Sequence, residues 1–330
     1  MINCYNTFDP LKEMILGDVD HSVIKNCDPS QRERLSHIFD RTKQELNEMQ
    51  KVFEELGIKV YRPTPVPNDF IKTPYWSSKG IKIPLTPRDV ILTLGNTVIE
   101  TASWQKERIF ETYYYRDILS KSGSPWISMP VPRHDYSTID YDIIPDQDPI
   151  LDAPAVLKYG KDLFVSAGGS HNQKGVDWLH KVFPEYRIHQ LEQPFKGHLD
   201  SHITILRPGL LMTYHPTEQL PDFFKDWQVI HVNPAKDRTI SDNQRLIDEK
   251  IQDDDFGNTV LAVNTLSIDR NKVVMVEHYK GNEHLMEQLA QHDIEVIFVK
   301  MTYSHFFNQG LTCITNDLNR DTNGLIDYTR

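Results

Sequence analysis

One pattern constrains the fold of this chain more than any other feature. Two short apolar runs around a turn, then a helix, then a third apolar run, occur four times in succession. "DVILTLGNTVIET" turns at Gly95-Asn96, a hairpin signal, and is followed by a helix over about 104–120 and a strand near 126. "AVLKYGKDLFVSA" turns at Gly160 ahead of "GVDWLHKVF" as helix and "YRIHQL" as strand. "HITILRPGLLMTY" turns at Pro208-Gly209 before "QLPDFFKDW" and "QVIHV". "TVLAVNTLSIDRNKVVMVEH" turns at Asp269 to Asn271 before "NEHLMEQLAQHD" and "IEVIFVK". The chain ends look like halves of a fifth unit. "EMILGDV", a long helix and "IKVYRP" lack one hairpin strand, which "LTCITNDL" would supply. A period of roughly 50 to 60 residues suggests a ring or an array. The competing arrangement is an ordinary α/β sheet in which strands and helices simply alternate. Two half-units at opposite ends favour the ring.

The clearest single helix is "PSQRERLSHIFDRTKQELNEMQKVFEELG", about 30 to 56. Leu35, Ile38, Phe39, Leu46, Met49, Val52, Phe53 and Leu56 form its apolar stripe, and Gly57 stops it. A chain of 330 residues can bury about three quarters of its unfolded surface and needs no staples. A net charge of −11 argues against wrapping nucleic acid, which calls for a basic footprint. The apolar runs are too short to span a membrane, and the N-terminal stretch has no signal-peptide pattern. The three cysteines, Cys4, Cys27 and Cys313, are odd in number and form no C-x-x-C, the usage of reduced thiols in the cytoplasm.

Chemistry-bearing residues cluster in "FKGHLDSHITI", 195 to 205. As a strand it would put His198, Asp200 and His202 on one face. Such a face could hold zinc or iron, could pair a base with a substrate-holding carboxylate, or could be polar residues at a strand mouth. Neighbours on one strand face stand roughly 6 to 7 Å apart, so three in line converge poorly on an ion. No H-x-x-E-H or C-x-x-C accompanies them, and no metal is expected. Cys313, in "NQGLTCITNDL", follows a glycine-containing turn at a strand start. With a His and an acid it would supply the parts of a nucleophile activated by an oriented base. Cys4 and Cys27 lack such neighbours and are expected to be inert. Asp89 in "TPRDVILTLG" and Asp152 in "PILDAPAVLKYG" stand at strand boundaries, where Asp is ordinarily a turn or cap residue.

Several collinear motifs carry a resemblance over nearly the whole chain: "CYNTFDPLKEMILG", "TPRDVILTLGNTVIE" with "ERIFETYYYR", "LDAPAVLKYGKDLF", "NQKGVDWLHKVFPEYRIH", "GHLDSHITILRPGLL" and "GLTCITNDLNR". The sequence resembles the glycine amidinotransferase (arginine:glycine amidinotransferase) family of the guanidine-modifying superfamily, which includes the arginine deiminases. The resemblance implies a five-bladed pseudosymmetric α/β propeller around a central channel, formed as a single domain over 1–330. It implies Cys313 as nucleophile, His198 as general acid/base, Asp152 as the acid that orients it, and Asp89 and Asp200 as the substrate's guanidinium clamp. It implies an amidino group moved from L-arginine to an amine acceptor through an amidino-Cys intermediate, without a cofactor. The expected partners are small-molecule substrates, with room for a homodimer and no role for nucleic acid or membrane. His202 has no counterpart role and is expected to be structural.

The chain departs from the family at the parts that recognise amino-acid ends. Thr312 stands directly before Cys313 where relatives often carry a His after a Gly-rich run. "TYHPTEQLPD" offers no basic residue before Lys225, and the serine pair that relatives carry around "TVLAVN" is absent. The acceptor therefore need not be glycine. Two other readings share these residues: a guanidino hydrolase of the same superfamily, in which water replaces the amine, and a non-catalytic guanidino-compound binding protein.

Overall fold

Each of the four hairpins forms at the turn expected of it, because each turn residue allows the backbone to reverse. Gly95 and Gly160 sit at φ 60° and 59°, the left-handed region that suits two-residue hairpin loops. A side chain at Gly160 would also meet the carbonyl oxygen of Ile326 at 2.1 Å. The computed structural model describes residues 1–26, 29–67, 71–78, 80–136, 144–232, 262–307 and 309–329. Cys27 and the "TVL" that opens the fourth hairpin stretch lie outside the described residues.

In chain order the strands are β1 (Leu11–Leu16), β2 (Lys59–Tyr61), β3 (Ile71–Lys72), β4 (Ser77–Ser78), β5 (Ile91–Leu94), β6 (Thr97–Glu100) and β7 (Trp126–Ser128). They continue with β8 (Val156–Tyr159), β9 (Asp162–Val165), β10 (Arg187–Gln190), β11 (Ile203–Arg207), β12 (Leu210–Thr213) and β13 (Gln228–His231). The last are β14 (Leu266–Asp269), β15 (Lys272–Val276), β16 (Glu295–Val299) and β17 (Thr315–Arg320). Among the described residues they make five three-stranded sheets and one two-stranded ribbon, β3 with β4.

Four sheets repeat one topology. The hairpin strands β5–β6, β8–β9, β11–β12 and β14–β15 pair antiparallel, and the second strand of each pairs parallel with β7, β10, β13 or β16. The fifth sheet has the same form from both chain ends: β1 pairs antiparallel with β17 and parallel with β2. The missing hairpin strand is thus supplied by the C-terminal segment, as the sequence implied.

Neighbouring sheets are joined through buried polar side chains on their first strands. Thr93 Oγ1 on β5 donates to the Asp317 carbonyl on β17 at 2.8 Å, and Lys158 Nζ on β8 donates to the Thr93 carbonyl at 2.9 Å. Thr204 Oγ1 on β11 donates to the Val263 carbonyl just before β14. Arg320 Nη2 on β17 donates to the Ser267 carbonyl on β14 at 2.8 Å. Between the second and third hairpin sheets the contact is apolar: Leu157, Phe164, Ile203 and Leu211 share one cluster with Phe8.

The helix Pro29–Glu55 covers the sheet built from both ends. Ile38, Phe39, Leu46, Met49 and Phe53 are buried, while Leu35, Val52 and Leu56 are partly so. Full burial of such side chains contributes about 1.5–3 kcal/mol each. Gly57, at φ 78°, ends it. None of the described helices is long and apolar enough to cross a membrane.

Two expected helices are overturned in part. The stretch 104–120 yields a 3₁₀ turn, Glu111–Tyr115, and an α-helix only over Arg116–Lys121. Thr112, Tyr114 and Tyr115 are weak helix formers, and the two adjacent tyrosines are both buried, which a surface helix with one apolar stripe does not accommodate. "QLPDFFKDW" makes no α-helix. Two 3₁₀ turns, Thr217–Gln219 and Asp222–Phe224, each begin after a proline, and Pro221 lacks the N–H that a continuous helix would need.

Candidate active site

The five expected site residues come together where first strands begin. Pro87–Val90 is a single helical turn that delivers Asp89 just ahead of β5, with Pro87 fixed at its first position. Asp152 precedes the 3₁₀ turn Ala153–Ala155, which leads into β8, and its N–H donates to the Ser170 carbonyl at 2.8 Å. Cys313 lies in the turn that ends at β17.

The strand expected over 198–202 is corrected. His198 is extended, but Leu199–Ser201 form a 3₁₀ turn, and the strand starts only at Ile203. The alternation argument therefore fails as geometry, although His198 and Asp200 both reach the site. His202 is held elsewhere. Its Nε2 donates to the Lys196 carbonyl at 2.7 Å, so its Nδ1 accepts, facing Tyr214 Oη at 2.8 Å and His215 Nε2 at 2.7 Å. The rings of His202 and His215 stack. Cys4 is buried with Lys158 Nζ at 3.0 Å from its sulfur.

His198 stands between two carboxylates, with Nε2 3.6 Å from Asp152 Oδ2 and Nδ1 3.9 Å from Asp89 Oδ1. Asp89 is also paired on its far side, Oδ2 lying 2.7 Å from Arg108 Nη2. Arg108 in turn reaches Glu111 with Nε at 3.1 Å. Asp200 Oδ2 accepts from Thr312 Oγ1 at 2.7 Å. Asp89, Asp152 and Asp200 each leave a buried Oδ1 with no hydrogen-bond donor. Buried carboxylate oxygens without donors are costly, so a site lined by three of them favours a cationic, donor-rich ligand.

The electrostatics follow from that crowding. Burial alone would raise the Asp89 carboxyl, but Arg108 foremost, then His198 and Lys82, hold it below the usual carboxylate range. Burial likewise opposes a charged His198, and Asp89, Asp152 and Asp200 outweigh it, so the imidazole is raised above its ordinary value. Asp200 is raised by burial, with His198 and Arg88 only partly offsetting it. The Cys313 thiol is pushed well up by burial and then by Asp200 and Asp89. Glu111 is raised to about 7 by burial despite Arg108. Without a bound cation the site therefore keeps its sulfur protonated.

Sequence reasoning missed four contributors: Arg108, Arg88, Thr312 as a hydrogen-bond donor, and Asn264. Arg108 and Glu111 are spaced i, i+3 and both buried, a signal legible only once burial is known. Asn264 carried a topological signal, since it precedes β14, the one first strand to which no site residue had been assigned.

No protein-family profile matches the chain. It is 28% identical to inosamine-phosphate amidinotransferase 1 of Streptomyces griseus, over 97% of this chain and 97% of that protein. It is 26% identical to the L-arginine:L-lysine amidinotransferase of Pseudomonas savastanoi pv. phaseolicola, over 96% of this chain and 93% of the relative. Among solved structures, an amidinotransferase from Microseira wollei in the saxitoxin biosynthetic pathway superposes with a TM-score of 0.83 at 25% identity, covering 99% of each chain. The likeness to amidinotransferases thus runs end to end in both sequence and structure, and it is to enzymes of that kind that this chain is similar.

Proposed function

We propose that the amidino donor is L-arginine, that the acceptor is a primary amine, and that the group rides between them on Cys313. The observation that supports this most directly is the constellation itself. A thiol, an imidazole flanked by the carboxylates of Asp89 and Asp152, and a third acid, Asp200, meet at the starts of neighbouring strands, and each acid has an unpartnered oxygen. Asp89 and Asp200 are the clamp, because a planar cation with several donors suits carboxylates that lack them. Asp152, nearest His198 Nε2, is the orienting acid.

Entry of the guanidinium compensates Asp89 and Asp200, the charges that add to burial in keeping Cys313 protonated, and so favours transfer of the thiol proton to His198. The thiolate forms a bond to the guanidino carbon. The bond from that carbon to the departing nitrogen then breaks, and His198 returns the proton to the amine, giving ornithine. A cationic amidino thioether remains on Cys313. The acceptor amine attacks the same carbon, His198 takes its proton, and the carbon–sulfur bond breaks to regenerate the thiolate. The transferred group is cationic in the donor, in the amidino-enzyme and in the product, so the clamp holds each of these states without reorganising.

The five sheets, each joined to the next and the last to the first, support a five-bladed α/β propeller forming one domain over 1–330. Deleting residues 1–16 would remove β1, the middle strand of the sheet that joins both ends, and should abolish soluble folded protein. A truncated chain that melts like the parent would exclude the closed ring.

The decisive assay incubates the protein with arginine and a panel of primary amines and identifies products by mass. Ornithine with a new guanidino compound is expected. Citrulline with ammonia would make water the acceptor and the protein a hydrolase. Neither product, with Cys313 unlabelled by an amidine-bearing thiol reagent, would leave only a binding role.

A further inference from the structure

Four of the five first strands begin beside a residue already given a role: Asp89 before β5, Asp152 before β8, His198 and Asp200 before β11, and Cys313 before β17. The fifth, β14, begins two residues after Asn264, a side chain only 1% exposed. We propose that Asn264 is a further catalytic residue, the neutral donor that holds the Cys313 sulfur as a thiolate and fixes it relative to the Asp200 clamp. The proposal rests on Cys313 being the nucleophile.

The carboxamide is used at both ends. Its Oδ1 accepts from the Thr312 backbone N–H at 2.7 Å. That contact fixes the orientation of the amide, since an N–H must face the oxygen. Nδ2 is thereby directed to Cys313 Sγ at 3.7 Å and to the Asp200 carbonyl at 3.5 Å. Thr312 closes the cycle through its own hydroxyl on Asp200 Oδ2 at 2.7 Å. One side chain thus ties together the Thr312 backbone just before the nucleophile, the nucleophile's sulfur and the backbone of the clamp.

The chemistry suits a donor without charge. A thiol is a weak acceptor and a thiolate a strong one, so the Nδ2–H to sulfur bond gains strength only when the proton has left. The charged groups facing the sulfur are Asp200 and Asp89, which oppose a thiolate, and Arg88, which favours it, as does a backbone hydrogen bond from Gly310. A second cation there would compete with the guanidinium for the same carboxylates, whereas an amide does not. The glycine at 310 fits the same purpose. A Cβ there would stand 2.2 Å from Asn264 Oδ1, so only glycine lets this loop close on the carboxamide.

The test is the pH dependence of Cys313 alkylation by iodoacetamide, followed by peptide mass, which needs no substrate. Asn264→Ala should move the profile to higher pH and slow alkylation at a fixed pH below the midpoint by about 10- to 150-fold, the range for a hydrogen bond to a charged group. Asn264→Asp, isosteric but without the donor, should move it further. Asn264→Gln, which keeps the donor but lengthens its arm, should move it less than Asn264→Asp, and it serves if the Ala and Asp variants do not fold. Profiles unchanged in folded variants, with only melting temperature or KM altered, would reduce Asn264 to a packing residue. Failure to turn over arginine would undo the donor assignment but leave the alkylation result standing, so the two ideas fail separately.

Discussion

Replacing Asp152 by Asn separates the orientation of His198 from the grip on substrate. The change keeps shape and packing and removes a charge 3.6 Å from His198 Nε2. A hydrogen bond to a charged group contributes roughly 1.5–3 kcal/mol, so kcat should fall about 10- to 150-fold. KM should move little, because the clamp is formed by Asp89 and Asp200. The pH effect has a definite sign. His198 is raised above its ordinary value because Asp89, Asp152 and Asp200 together outweigh its burial. Removing one of the three lowers it. His198 must be neutral to take the thiol proton, and the lowered imidazole reaches that state at a lower pH, so the acid limb of the first half-reaction moves down. Single-turnover formation of the amidino-enzyme, read by intact mass across acid and neutral pH, measures the limb, and steady-state kinetics give kcat and KM. A variant with raised KM and undiminished kcat would refute the assignment. Asp89, whose Oδ1 lies 3.9 Å from Nδ1 of the same ring, would then be the orienting acid and Asp152 part of the clamp.

Three further outcomes are expected. Cys313→Ser should abolish turnover and the mass adduct formed with arginine, with the melting temperature preserved; retention of more than about a hundredth of the activity would count against covalent transfer. Asp89→Asn and Asp200→Asn should both raise KM, yet only the former should melt markedly earlier, since it breaks the buried pair with Arg108 at a cost of about 3–5 kcal/mol; equal melting temperatures would show that Glu111 alone satisfies Arg108. His215 is held neutral, its pKa lowered from 6.5 to about 4 by burial and by His202. Because the folded value is depressed, its contribution is present above 6.5 and is lost as pH falls toward 4, amounting to about 2 kcal/mol at pH 5. Denaturant titrations at pH 7 and 5 should show that loss, and His215→Gln should remove it; an identical pH response in both proteins would contradict this account.

The sequence by itself determined what depends on neighbours in the chain. Gly95, Gly160 and Gly209 announce hairpins because a reversal needs few residues and a permissive backbone. The apolar stripe from Leu35 to Leu56 announces its helix because its period is local. The regular spacing of such units even allowed a strand near residue 15 to be matched with one near 317, which the structure bears out. Local patterning failed where burial overrides it. Tyr114 and Tyr115 tighten an expected helix into a 3₁₀ turn, and "HLDSHI" looks alternating but turns before its strand begins. Only the tertiary structure decided how the site is charged. Asp89 meets Arg108 and His198, and Asn264 reaches a sulfur 49 residues further along the chain. Those contacts arise because five separate strand starts converge, and a single sequence carries no sign of which side chain will face which across that gap.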